Sequence, residues 1–215
     1  MTYKEKRDFV PEFEAEEGYD LYAEAYVEDE PYLDIFDQVF FLRNLRNLEN
    51  SKVLDLGAGT GRLAPIFIKR GAKHVTALDI SQEMLNIAEK RNAYERIVKA
   101  DVRDFMPFDF EEFDLIISTM LLVHISTKDI PALFGECSRI LKKGGKMILV
   151  SLAQRRPPRL TTSKGEKIVI ASYAHAPSRI EDELREAGFT IELVETHENK
   201  SDQLATYFIL SKPLV

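Results

Sequence analysis

The sequence predicts an α/β fold: a doubly wound, mostly parallel sheet with an N-terminal helical cap and an antiparallel C-terminal hairpin. Two patterns carry that expectation. From Ser51 to Leu152, apolar runs of strand length alternate with segments of helical periodicity, as βα units do. The first of these strands runs into Val53-Leu54-Asp55-Leu56-Gly57-Ala58-Gly59-Thr60-Gly61, with three glycines at alternate positions. A glycine-rich turn at the carboxyl end of a central strand is where open α/β sheets bind nucleotides.

The elements follow in order. Residues 1–48 read as a helical cap with an irregular start, and hold 10 of the 21 Phe and Tyr residues. Phe36, Val39, Phe40 and Leu42 to Leu45 recur at helical spacing and would give the cap one apolar face. Strands are expected at 52–56, 74–78, 96–100, 113–118 and 146–152, and helices at 62–70, 82–92 and 128–141. Pro65 suits the first turn of the first helix, where its missing N–H costs nothing. Ser81 is placed to cap the second. Gly71 and Gly144-Gly145 would close the first and third.

A last helix over 177–187 stops at Gly188, and strands at 189–195 and 205–210 follow. The nine residues 196–204 can form a hairpin loop, which makes these strands antiparallel and brings the total to seven. Residues 153–176 fit none of this neatly. Their Arg155-Arg156-Pro157-Pro158-Arg159 run excludes a helix, and 167–173 reads as a short extra strand. The segment is either a substrate-facing lid or a surface excursion. No repeat and no second domain are visible, so 1–215 reads as one domain: cap, core to 152, lid, and C-terminal helix with hairpin.

Composition narrows the function. Hydrophobic content of 45% and charged content of 30% are those of a globular protein. No apolar run approaches the ~18 residues of a membrane span, and the first residues carry no secretion signal. The single Cys137 excludes an internal disulfide, so the cytoplasm is the expected location. The net charge of −7 divides into −10 over residues 1–37, with 13 acids against 3 bases, and +3 over the rest. Residues 142–167 hold eight Lys or Arg and one acid. That run is either solvated surface or a face for an anionic substrate. An acidic protein overall argues against a nucleic-acid partner.

The glycine spacing, Gly-x-Gly-x-Gly with Asp55 just ahead, is not the Gly-x-Gly-x-x-Gly of dinucleotide turns. A carboxylate there would repel a pyrophosphate but suits a cation. Asp79 ends the second strand, where an acid can accept from both hydroxyls of a ribose. Asp101-Val102 follow the third strand, and Phe113-Asp114-Leu115-Ile116-Ile117-Ser118-Thr119 forms the fourth.

In these four ordered signposts, and in Gly144-Gly145-Lys146 before the fifth strand, the chain resembles the class I S-adenosylmethionine-dependent methyltransferases, small-molecule type. The resemblance covers residues 50–152 well. It implies a Rossmann-like seven-stranded sheet with S-adenosyl-L-methionine as cofactor. By resemblance, Asp55 would orient the methionine ammonium, with the backbone of Gly57, Ala58, Gly59 and Gly61 along the methionine portion. Asp79 would take the ribose, Ile80 and Met84 would sandwich the adenine, and Asp101 with the Val102 N–H would meet its edge. Ser118 lies where the fourth strand opens into the site. Tyr19-Asp20-x-x-Ala23-x-x-Tyr26 echoes an N-terminal motif in which a tyrosine closes over the cofactor, so Tyr19 and Tyr26 join the set.

Methyl transfer from a sulfonium needs mainly alignment, and a base only for a protonated acceptor. His124, after the fourth strand, is the candidate base, or else a structural histidine at the turn into the next helix. His175 is a second choice; His74 reads as structural and His197 as solvated. Ser118-Thr119-Met120-Leu121 replaces the Asn/Asp-Pro-Pro-Tyr/Phe motif, which disfavours amide and exocyclic amine acceptors. No acid and histidine cluster marks a metal site, and Cys137, mid-helix, is not placed as a nucleophile. The expected partner is a small-molecule acceptor of a methyl group at O, N or C, the protein being a monomer or homodimer. The alternatives are a protein or RNA modifier docking through residues 142–167, or a non-catalytic binder of the cofactor.

Overall fold

The computed structural model describes residues 9–153, 157–198 and 204–214, with the side chains of all but 32–38. Its centre is a seven-stranded sheet. In chain order the strands are β2 (Lys52–Leu56), β3 (His74–Asp79), β4 (Arg96–Lys99), β5 (Phe113–Thr119), β6 (Leu141–Ala153), β9 (Thr190–Glu198) and β10 (Leu204–Ser211). Their spatial order is β4-β3-β2-β5-β6-β10-β9. The first five run parallel, and β10 is antiparallel to both neighbours. The order therefore reverses between β2 and β5, and a crevice for a ligand opens at their carboxyl ends.

Helices α2 (Ala64–Lys69), α3 (Gln82–Glu89), α4 (Ile130–Ile140) and α5 (Pro177–Glu186) cross between strands. Pro65 sits in the first turn of α2, and Ser81 caps α3 by accepting the Met84 N–H at 3.1 Å. Two apolar clusters form the core, one centred on Leu54, Ile116, Phe134 and Phe208, the other on Phe41, Val53, Phe67 and Tyr207. Cys137 is buried in the first, and burial pushes its thiol up to about 12, so it is inert.

Three expectations change. Gly144-Gly145 do not precede the fifth sheet strand but bend within it: β6 starts at Leu141, and the Gly144 N–H bonds to the Lys212 carbonyl at 2.8 Å. His197 lies on β9 rather than in a hairpin loop, since that strand continues to Glu198. The cap is one helix, α1 (Ala15–Asn44), which continues through Pro31. It buries Phe40 and Phe41, with Leu45 just past its end, but Val39 is 70% and Leu42 37% exposed. The side chain of Phe36 lies outside the described residues.

Over its described part the 153–176 segment carries the extra strand expected at 167–173, with two partners that were not. Strands β7 (Arg159–Thr161) and β8 (Lys167–Ile170) form a hairpin, and β1 (Glu12–Phe13) adds to β8 in parallel. Against this three-stranded sheet α1 packs Tyr22, with Tyr19 and Tyr26 beside it, on Ile168 and Ile170. Gly18 permits the contact, because a Cβ there would stand 2.7 Å from Ile170.

Two lysines of the basic run are engaged in ion pairs. Lys142 pairs with Asp114 and Lys146 with Glu192, at the end of β6 where the parallel strands begin. Arg155 and Arg156 lie outside the described residues. Among the described residues no helix is long and apolar enough to cross a membrane.

Candidate active site

The crevice predicted by the strand reversal is a cleft lined from α1, from the loops after β2, β3 and β4, and from residues 119–125 after β5. It holds about 710 Å³ of space free of protein atoms, open solvent included. Of the residues expected from the sequence, Tyr19, Tyr26, Gly57, Gly59, Asp79, Ile80, Met84, Asp101, Val102 and His124 all line it.

Local chemistry explains the walls. Gly57 and Gly59 have φ of 73° and 55°, a region in which L side chains are strained, so the loop can turn and leave its backbone bare. Asp79 pins that loop: its carboxylate accepts from the Gly59 N–H at 2.7 Å and the Ser81 N–H at 2.9 Å. Burial raises its pKa, partly offset by these bonds, with Asp20 adding to the rise. A half-buried acid with lone pairs still available at a cleft wall suits hydroxyl donors or a cation. Asp101 is engaged by Arg103, whose guanidinium approaches to 2.6 Å. Burial would raise Asp101, but the bonds from Arg103 outweigh it and hold the carboxyl below its usual range.

Tyr19 and His124 meet in the cleft. The Tyr19 hydroxyl lies 2.7 Å from His124 Nε2, and His124 Nδ1 lies 2.9 Å from the Ala171 carbonyl oxygen. A carbonyl only accepts, so Nδ1 carries the hydrogen and Nε2 accepts from Tyr19. Burial lowers the His124 pKa, partly offset by the Ala171 bond, so the ring is neutral at pH 7. Burial raises that of Tyr19 well above its ordinary value, with Tyr26, Asp79 and Tyr22 adding to it. His124 thus does not cap the turn into α4. His175 does nearer to that work: buried, it sits against the Leu122 and Ile125 carbonyls at 3.1 and 2.9 Å. His74 and His197 lie on exposed strand positions beside Glu95 and Glu195.

Four expected residues lie off the cleft wall. Ala58 packs with Ala77 and Leu85. Gly61 backs onto Tyr94. Ser118 is 1% exposed, and its hydroxyl has no partner among the described residues. Asp55 is 3% exposed and accepts from the Tyr94 hydroxyl at 2.7 Å. Burial pushes its carboxyl up to about 7, against the Tyr94 bond and the charge of Arg62, which lower it.

Sequence reasoning missed Arg103, Met120 and Leu121 on the wall. No motif marks Arg103. Met120 has a φ of 61°, a conformation that costs a non-glycine residue ~1–3 kcal/mol and clusters at functional sites. It missed Asp20 as well, which reaches from α1 to accept from the Ser81 hydroxyl at 2.6 Å and the Glu83 N–H at 3.2 Å. Glu30 does the same ten residues on, held by Arg91 at 2.5 and 2.6 Å. Both carboxylates fasten the cap helix to the cleft. Among the described residues no group of three His, Cys, Asp or Glu could hold a metal ion.

Comparison with known proteins agrees with this architecture. A family model described as a methyltransferase domain matches residues 53–145. An uncharacterized methyltransferase of Anoxybacillus flavithermus is 31% identical over 149 residues, 68% of either chain. The demethylmenaquinone methyltransferase of Thermotoga maritima is 37% identical over 112 residues, 51% of this chain and 47% of that one. The matched stretch thus spans about half to two thirds of such relatives. In fold, the chain is similar to an S-adenosylmethionine-dependent methyltransferase of Methanosarcina mazei, with TM-score 0.66 and 18% identity over 82% of this chain and 98% of that one. It is also similar to DhpI in its complex with SAH, with TM-score 0.71 and 22% identity over 92% and 94%. On the sheet order, the glycine loop with its acid at the end of β3, and these matches, the chain belongs to the class I S-adenosylmethionine-dependent methyltransferases.

Proposed function

We propose that this chain transfers the methyl group of S-adenosylmethionine to an O, N or C atom of a small molecule seated beside Tyr19 and His124. The observation that carries the reading is the convergence of Asp79, Gly57, Gly59, Met84 and Val102 with the Tyr19–His124 pair in one cleft. The residues present fit the cofactor. Asp79 would accept from the ribose hydroxyls, Ile80 and Met84 would cover the adenine faces, and Val102 with Asp101 would meet its edge. The bare backbone of the glycine loop would run along the methionine portion. When bound, the sulfonium supplies a methyl group already activated for displacement.

The chain's own work is then alignment, exclusion of water and one proton transfer. Good alignment alone can be worth ~7–11 kcal/mol. For an acceptor with an O–H or N–H, its proton passes to the Tyr19 oxygen as the Tyr19 proton passes to His124 Nε2. Neutral His124 is the sink, and Ala171 holds its tautomer. The β7–β8 hairpin serves as the lid, since Ala171 directly follows β8 and reaches His124. The relative named as a demethylmenaquinone methyltransferase supports a small acceptor rather than a macromolecule.

The test is methyl transfer from labelled S-adenosylmethionine into cell extract split by size. Label in the small-molecule fraction supports the reading. Label only in protein or RNA, or none in either, refutes it.

A further inference from the structure

The third glycine of the loop does not serve the cleft; it makes room for Tyr94. Gly61 has a φ of 74°, and a Cβ on it would stand 2.8 Å from Tyr94 Cε2 and 3.1 Å from its hydroxyl. Through that gap Tyr94, half-buried in the segment between α3 and β4, reaches Asp55 at 2.7 Å. Its ring packs against the second core cluster and against Ala58, Ala77 and Leu85. One side chain therefore touches the acid before the loop and the last glycine of it.

We propose that Tyr94 is a positioning residue of the cofactor site: it holds the Asp55 carboxylate fixed behind the loop along which the methionine portion would lie. The proposal rests on the cofactor placement given above. Asp55 is two residues from Gly57 and shielded from water, so its charge acts on a cationic ligand through the loop rather than by contact. A buried carboxylate without a donor would protonate and lose that charge. Tyr94 supplies the donor. The other charged groups facing the pair are Arg62, from the turn after β2, and Asp79, from the end of β3. Arg91, from the residues after α3, acts on Tyr94.

S-adenosylhomocysteine carries the same ammonium and serves as the probe, titrated calorimetrically from pH 6.5 to 8.5. Tyr94→Phe is expected to weaken binding about fivefold or more at pH 7.5. That loss should shrink as pH rises, since alkaline solution drives ionisation of Asp55 even without its donor. In an Asp55→Asn background, Tyr94→Phe should add nothing, since no charge is left to position. Unchanged affinity in Tyr94→Phe would overturn the proposal. So would a loss equal at every pH that adds in full to that of Asp55→Asn, which marks a packing residue. Wild-type protein that fails to bind at any pH would remove the underlying placement instead.

Discussion

The Tyr19 hydroxyl, on the N-terminal helix, donates to His124 Nε2, 105 residues away, across 2.7 Å. That bond joins the cap to the turn after β5, and the His124–Ala171 bond extends it to the small sheet. Replacing His124 by Ala should cut turnover by ~10²–10⁴ with a protonated acceptor, the range for loss of a general base. Affinity for S-adenosylhomocysteine should stay within about twofold. Tyr19→Phe should show a similar loss of turnover. Steady-state rates beside calorimetry check this, and wild-type rates in either variant would make the pair structural.

The rate should also depend on pH in one direction. The His124 pKa is lowered in the fold, so the ring stays neutral to below its ordinary value of ~6.5. Turnover with a protonated acceptor should be flat near pH 7 and fall only in more acid solution. A midpoint above pH 7 would exclude His124 as the proton sink.

Asp55 predicts the opposite trend in stability. Its carboxyl titrates at about 7 in the fold, against ~3.9 in the unfolded chain. The folded state therefore binds the proton more tightly, and the stability this gives is complete below pH ~4 and is lost as pH rises through about 7. Three pKa units correspond to a few kcal/mol, on the order of 4. Asp55→Asn should raise the thermal midpoint of the ligand-free protein by several degrees at pH 8, with the gain shrinking as pH falls and vanishing only near pH ~4. Melting curves at the two pH values settle it; a gain independent of pH would contradict the burial argument.

Asp20 accounts for part of the cap's attachment. It caps α3 together with Ser81, and loss of such a cap costs ~1 kcal/mol. In a chain of this size Asp20→Ala should lower the thermal midpoint by about 2–4 °C. No change would mean that Ser81 alone satisfies the helix terminus.

Much of this was legible in the sequence because period and punctuation are local. The parallel strands announce themselves as apolar runs, and Gly57 and Gly59 mark the loop. What escaped has no local signal. The extra strand expected at 167–173 is present as β8, but not its parallel partner β1, more than 150 residues earlier: two residues of strand leave no periodicity. Val39 and Leu42 followed a helical period yet face outward, since α1 divides its apolar residues between two partners, the main core and the small sheet. Tyr94 and Arg103 belong to no pattern, and their roles come only from the acids they meet in space. Asp55 illustrates the converse: its place at the end of β2, just before the loop, is plain in the sequence, but its carboxylate turns to Tyr94 rather than to the cleft wall.

The central claim is that an adenosyl sulfonium occupies the cleft with its ribose on Asp79. Calorimetric titration of purified wild-type and Asp79→Ala protein with S-adenosylmethionine tests it most directly. Micromolar binding at one site per chain is expected, weakened at least tenfold in Asp79→Ala through loss of hydrogen bonds to a charged acceptor. No heat of binding at millimolar ligand, or equal affinity in the two proteins, would contradict it.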